Sequence, residues 1–385
     1  MTEQGAGSAN QDSADQDSAD QDSSYRDRVR GALLGGAIGD ALGWPVEFLQ
    51  LHQIQDRFGP EGVTSLPQGP GPVEVTDDTQ MTLFTAEGLI RGFVRGWSGG
   101  GGSVPEAVHG AYRRWLRTQY QPAPDTEPQQ RPYDGWLLSR PFLYARRAPG
   151  NACLSGVSEH PAFEAPAAIG RPGPVNPGSK GCGTVMRSAP FGLARLGAEQ
   201  SFGLAVQCAQ LTHGHPTGYL AAGAFAALVE RLAEGVEPWA AVGETVEQIR
   251  ELPASKETVQ ALARAVRIAQ ESEPSADAVE RVGLGWVAEE CLAIAVYALL
   301  AATLDPDPVR TALLLSVNHS GDSDSAGAVC GNLVGAAYGA SALPAEWVGA
   351  IEGRAELLTV ADDLLVLFGS RDPGHPALGG RYPAW

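Results

Sequence analysis

At 385 residues, 43% apolar and 19% charged, the chain has ample nonpolar sequence for a globular core, which excludes disorder throughout and suits one large domain. Its formal net charge is −18, and the first 24 residues supply six acids (Glu3, Asp12, Asp15, Asp17, Asp20, Asp22) and no base; removing those six charges leaves −12. A body this acidic, with Lys180 and Lys256 as its only lysines, argues against a nucleic-acid-binding surface and suits a site that concentrates divalent cations.

Five scattered cysteines without a CxxC pair indicate neither a disulfide framework nor a zinc site. No signal-like start and no apolar run of about 18 residues is present, so the expectation is a cytoplasmic protein with no membrane span.

In chain order, residues 1–24 repeat a polar QDSAD-like unit and are expected to form a disordered acidic tail ahead of a single domain over 25–385. Next comes GALLGGAIGDALGWPVEF (Gly31 to Phe48), whose small residues suit a tightly packed buried helix. Its acids Asp40 and Glu47 read either as helix-end carboxylates or as functional ones. In VTDDTQMTL (Val75 to Leu83), Thr76 can cap a helix with Asp77 and Asp78 in its first turn; the same triplet offers three hard oxygen donors of the kind Mg²⁺ or Mn²⁺ prefers.

The glycine run Ser98 to Ser103 and the stretch Gln121 to Pro132 read as surface loops, and Gly170 to Gly183 as a third loop with an ordered motif at its end. In SKGCGTVMRSAP (Ser179 to Pro190), Gly181 and Gly183 would let backbone N–H groups approach a phosphate before a helix near Thr184. The spacing is neither that of a P-loop nor that of a Rossmann fingerprint. LTHGHP places His213 and His215 on a helix-to-helix turn without soft partners, which favours hydrogen bonding over zinc.

Apolar spacings of three and four (Leu83, Ala86, Ile90, Phe93; Leu220, Ala224, Leu228, Leu232) predict helices, as do Ser201 to Leu211, Glu257 to Gln270, Ala288 to Thr303 and Ala345 to Phe368. Extended pieces are confined to the neighbourhood of Gly62 to Leu66, so the fold class is all-α.

HSGDSDSAGA (His319 to Ala328) is the hardest segment to read as a plain cap. It sets two carboxylates and two hydroxyls in four positions before a helix of small apolar residues, costly to bury unless a cation neutralises the acids. His319 itself reads as a packing residue. Together the two acidic helix starts offer Thr76, Asp77, Asp78, Asp322, Asp324 and Ser325, enough oxygen donors for two cations sharing a carboxylate.

GDALGWPVEF, TDDTQM, GCGTVMR, THGHP and GDSDSAG, in this order after residue 25, resemble the ADP-ribosylglycohydrolase family, particularly its dinitrogenase-reductase-activating branch. The resemblance implies an orthogonal multi-helix bundle with a binuclear Mg²⁺ or Mn²⁺ cleft, the six oxygen residues above being the metal ligands. It further implies that ADP-ribose docks its distal ribose on the metals and meets Gly181, Cys182, Gly183, Thr184, Met186 and His213. Asp77 or Asp78 would orient a metal-activated water, with Glu47 as acid/base or gate and Arg187 structural.

The expected substrate is an ADP-ribosylated protein or other ADP-ribosylated acceptor, with ADP-ribose as product. Three departures from the family pattern stand out: Ser325 for the commoner threonine, Cys182 for asparagine, and Arg147-Ala148-Pro149 before Gly150-Asn151 where arginine-specific members carry an aspartate. The acceptor is therefore open among arginine, serine or another hydroxyl, and a nucleobase. Rival readings are a catalytically silent ADP-ribose-binding protein of the same fold and, more distantly, a metal-dependent phosphohydrolase.

Overall fold

Glycine spaced every fourth residue dictates the central packing of this computed structural model, which describes residues 6–125, 134–370 and most of 372–383, with side chains from residue 21 onward. Gly31, Gly35 and Gly39 on the long N-terminal helix (Ala6–Gly43) face Gly335, Gly331 and Gly327 on the helix Ser323–Tyr338. A methyl group at Gly39 would lie 1.9 Å from the Gly327 carbonyl oxygen, and one at Gly331 the same distance from that of Gly35, so the two backbones touch with no room for a side chain. Asn332 extends the seam by donating from Nδ2 to the Ala32 carbonyl at 2.8 Å.

Around this pair the other helices pack in layers. Asp77–Trp97 lies against Val104–Tyr120, Ala198–Ala209 against Pro216–Ala233, and Ala288–Ala301 against both Lys256–Glu271 and Ser323–Tyr338. Pro216–Ala233 and Ala288–Ala301 are buried on nearly every side, as expected of helices that are apolar all round. One continuous apolar core runs from Tyr25 to Tyr382, and each fully buried Leu or Phe in it contributes about 1.5–3 kcal/mol.

The all-α expectation holds: among the described residues only two isolated bridges occur, Val73 with Ile351 and Gly181 with Val287. Near Gly62 to Leu66 no ladder forms. Asn318 serves Val63 instead, accepting its N–H at 2.7 Å and donating to its carbonyl at 2.8 Å. The single helix expected over Ala345 to Phe368 is two, Ala345–Ala350 and Arg354–Ser370. Ile351 leaves the helix to pair with Val73, and Gly353 at φ +72° makes the turn, so tertiary pairing overrides the apolar period.

Residues 126–132 of the expected loop lie outside the described residues. So do residues 1–5 and the side chains of 6–20 of the expected tail, where the backbone from Ala6 onward continues the N-terminal helix. Among the described residues no helix is long and apolar enough to cross a membrane. The cysteines are free, and all but the half-buried Cys182 are buried.

Candidate active site

Where the glycine seam ends, several helix starts converge on one cleft of about 440 Å³. The N-terminal helix delivers Asp40, fully buried, just past the contact of Gly39 with Gly327. Its carboxylate accepts the Thr76 N–H at 3.0 and 3.1 Å, the Thr79 N–H at 3.2 Å and the Thr79 hydroxyl at 2.5 Å. Asp40 thereby fixes the start of the helix Asp77–Trp97, where the Thr76 hydroxyl accepts the Asp78 N–H at 3.3 Å as the expected cap. Burial pushes the Asp40 carboxyl up to about 6, the four hydrogen bonds opposing the rise.

The second acidic start is Asp322, which caps Ser323–Tyr338 by accepting the Ser325 N–H at 3.3 Å; Asp324 accepts the same N–H at 2.9 Å. Asp77, Asp78, Asp322 and Asp324 are each at most 4% exposed and line the cleft together with Ser325 and Glu47. Burial first, and then repulsion from the neighbouring carboxylates, holds Asp77, Asp78 and Asp324 well above the usual carboxylate range. The Glu47 carboxyl rises to about 8 through burial and then repulsion from Asp322 and Asp77.

Few protein donors offset this charge. The Gly150 N–H reaches Asp77 Oδ2 at 3.3 Å, whereas Asp78 Oδ1 and Glu47 Oε2 are buried with no hydrogen-bond partner. Buried carboxylates left in this condition cost several kcal/mol each, so the cluster calls for a counter-charge. Its donors are hard oxygens, the set that suits Mg²⁺ or Mn²⁺ rather than a soft ion. Among the described residues no three His, Cys, Asp or Glu side chains already converge in a metal-holding arrangement.

The opposite wall is the loop Gly181–Gly183. Cys182 donates its N–H to the Trp286 carbonyl at 3.2 Å and Ala288 returns one to Lys180 at 2.9 Å, tying the loop to the start of Ala288–Ala301. Gly183 must lack a side chain, since a Cβ there would meet Cys153 Sγ at 2.7 Å and the His213 ring at 3.1 Å. The Cys182 thiol donates to Asp322 Oδ2 at 2.8 Å, and burial beside that carboxylate pushes it well above the ordinary thiol range.

His213 lines the cleft with Nδ1 2.7 Å from the Thr212 hydroxyl. Burial and the nearby Arg187 guanidinium push it down to about 3, so its ring is neutral. Arg187 itself is buried behind the loop, donating to the Thr212 hydroxyl at 2.6 Å and stacking 4.5 Å above the Tyr112 ring, a packing position rather than one facing the cleft.

Of the residues singled out from sequence, Glu47, Asp77, Asp78, Gly181, Cys182, Gly183, Met186, His213, Asp322, Asp324 and Ser325 line one cleft. Thr76 sits just behind Asp78, and Thr184 lies behind the loop, donating to the Gly218 carbonyl at 3.0 Å. His215 caps the helix Pro216–Ala233 and His319 is buried in packing. Arg147 turns away from the cleft to Glu352 and the Val75 carbonyl, each at 2.6 Å. The sequence reading missed Phe48, Arg146 and Trp286, which also line the cleft and whose exposure follows no local pattern.

The family model for ADP-ribosylglycohydrolase matches residues 21–374. The chain is 26% identical to the ADP-ribosyl-[dinitrogen reductase] glycohydrolase of Rhodospirillum rubrum, over 89% of this chain and 97% of that protein. It is likewise 26% identical to the ADP-ribosylarginine hydrolase Tri1 of Pseudomonas putida (88% and 78% covered) and to the bovine ADP-ribosylhydrolase ARH3 (89% and 93%). A solved structure described as an ADP-ribosylglycohydrolase-related protein complex superposes with a TM-score of 0.59 at 26% identity, covering 89% of this chain and 98% of that one. With fold, cleft and motif order in agreement, this chain belongs to the ADP-ribosylglycohydrolase family.

Proposed function

We propose that the protein hydrolyses the glycosidic bond between the distal ribose of ADP-ribose and a modified acceptor. The observation that carries this reading is that Asp77, Asp78, Asp322 and Asp324, all buried, line one cleft with Glu47 and the loop Gly181–Gly183, with Asp78 Oδ1 and Glu47 Oε2 lacking hydrogen-bond partners. Thr76, Asp77, Asp78, Asp322, Asp324 and Ser325 would hold two Mg²⁺ or Mn²⁺ ions. Such ions, when bound, supply a docking point for ribose hydroxyls and lower the pKa of a water.

The chain's own residues do the rest. Gly181 to Gly183 let the diphosphate come close to the backbone, and neutral His213 supports that loop without adding charge. Asp77 or Asp78 orients the water as positive charge develops at the ribose carbon. Glu47, whose carboxyl is raised to about 8 chiefly by burial, is the residue placed to hold a proton for the leaving group.

The acceptor leaves past Glu47, where no carboxylate outside the acidic cluster lines the cleft and Arg146 is the cation on its wall. A panel of arginine-, serine- and nucleobase-linked ADP-ribose, assayed for free ADP-ribose with Mg²⁺ or Mn²⁺ and with EDTA, tests the reading and names the acceptor. Release from one member that EDTA abolishes is expected. Tight ADP-ribose binding with release from none would favour the silent binding protein.

A further inference from the structure

Glu47 ends a short turn, Trp44–Val46, and the next residue has an uncommon conformation. Phe48 takes φ +69°, a left-handed backbone that side chains rarely adopt, and its ring is 62% exposed. That ring stacks on Trp286, itself 39% exposed, with centroids 5.2 Å apart and planes at 25°. Both rings stand at the cleft.

Their two loops are joined to the same acidic segment. Phe48 donates its N–H to the Gly321 carbonyl at 3.3 Å and Gly321 returns one to Leu49 at 3.4 Å, while Asp322 donates to Leu284 at 2.9 Å. Within the turn, Glu47 and Leu49 donate to Gly43 and Val46 at 3.0 Å each, whereas the two bonds that tie it to Gly321 are longer, and Glu47 Oε2 has no hydrogen-bond partner. The ring stack is a side-chain contact that joins the Glu47 loop to the Trp286 loop beside Gly321–Asp322. Exposed aromatic rings and a left-handed phenylalanine are each unfavourable alone, and stacking the rings offsets part of that cost.

We propose that the Phe48–Trp286 stack is a latch that positions the Glu47 carboxyl over the cleft. Phe48 and Trp286 are positioning residues acting through Glu47. The inference rests on the hydrolase reading above.

The test is a double-mutant cycle on the full chain with its best substrate. Phe48→Ala and Trp286→Ala should each lower kcat by roughly two- to tenfold, the range of an aromatic pair, with unchanged ADP-ribose affinity. Phe48→Trp should restore kcat. Phe48→Gly, which relieves the left-handed backbone but removes the ring, should fall with Phe48→Ala. In a Glu47→Gln background the Phe48→Ala effect should vanish. An active wild type in which the Phe48 and Glu47 effects simply multiply, or a Phe48→Gly variant as active as wild type, would overturn the latch alone. A wild type inert on every substrate would overturn the hydrolase reading and the latch with it.

Discussion

The helices Ala6–Gly43 and Ser323–Tyr338 meet in two ways along one contact. Over Gly31 to Gly39 they are backbone against backbone, dry and without charge; a few residues further on, Asp40, Asp322 and Asp324 are buried together among Asp77, Asp78 and Glu47. The seam has no slack and the acidic end has unmet electrostatic demand. The rigid half thus brings mutually repelling groups to positions they would not take unaided, and strain at the acidic end is tolerated because stability resides in the seam and core.

Breaking the seam should have the largest effect. Gly39→Ala and Gly331→Ala each force a methyl into a facing carbonyl, and we expect losses at or above about 3 kcal/mol in chemical unfolding, the upper range for overpacking. Unfolding midpoints near wild type would show that the two helices can separate cheaply.

At the acidic end the expected loss is smaller. Asp322→Ala removes a repelling charge but also the cap on Ser325, so the metal-free protein should lose no more than about 2 kcal/mol by thermal unfolding, less than the seam variants lose. Stabilisation by Mg²⁺ or Mn²⁺ should nevertheless disappear and turnover fall by roughly 100-fold or more. Unchanged stabilisation by the cations would remove Asp322 from the ligand set.

A pH series sharpens the contrast. Glu47, Asp77, Asp78 and Asp324 titrate higher in the fold than in the unfolded chain, so the folded state binds more protons and its stability falls as pH rises. In EDTA the unfolding midpoint should drop from about pH 4 upward, with the Glu47 share lost through about 8, and divalent cations should flatten the curve. A midpoint that climbs over that range would contradict the assigned directions.

Smaller effects follow at the edges. Cys182→Ser keeps a donor toward Asp322 and should change turnover by no more than a few-fold, measured by ADP-ribose release. Deleting residues 1–20 should leave turnover within experimental scatter of wild type, and a large loss would give the acidic segment a role.

Much of this was legible in the sequence because motif and geometry coincide at helix starts. Thr76 and Asp322 cap their helices as their residue types demand, and capping is what aims the adjacent carboxylates into the cleft. The small residues of Gly31 to Phe48 pointed to a tightly packed buried helix, which the glycine seam bears out. What could not be read were relations between distant segments: Asp40 reaching Thr76 and Thr79, the pairing of Ile351 with Val73 that splits a helix, and Phe48 meeting Trp286. None of these carries a local periodicity, and each depends on a loop whose path is set by its neighbours.

The most direct test of the central claim, that the buried carboxylates exist to hold cations on which ADP-ribose docks, is a calorimetric titration of ADP-ribose into the wild-type protein with Mn²⁺ and, separately, after EDTA treatment. Binding with the metal and at least roughly 100-fold weaker binding without it is the predicted result; equal affinity in both would contradict the account.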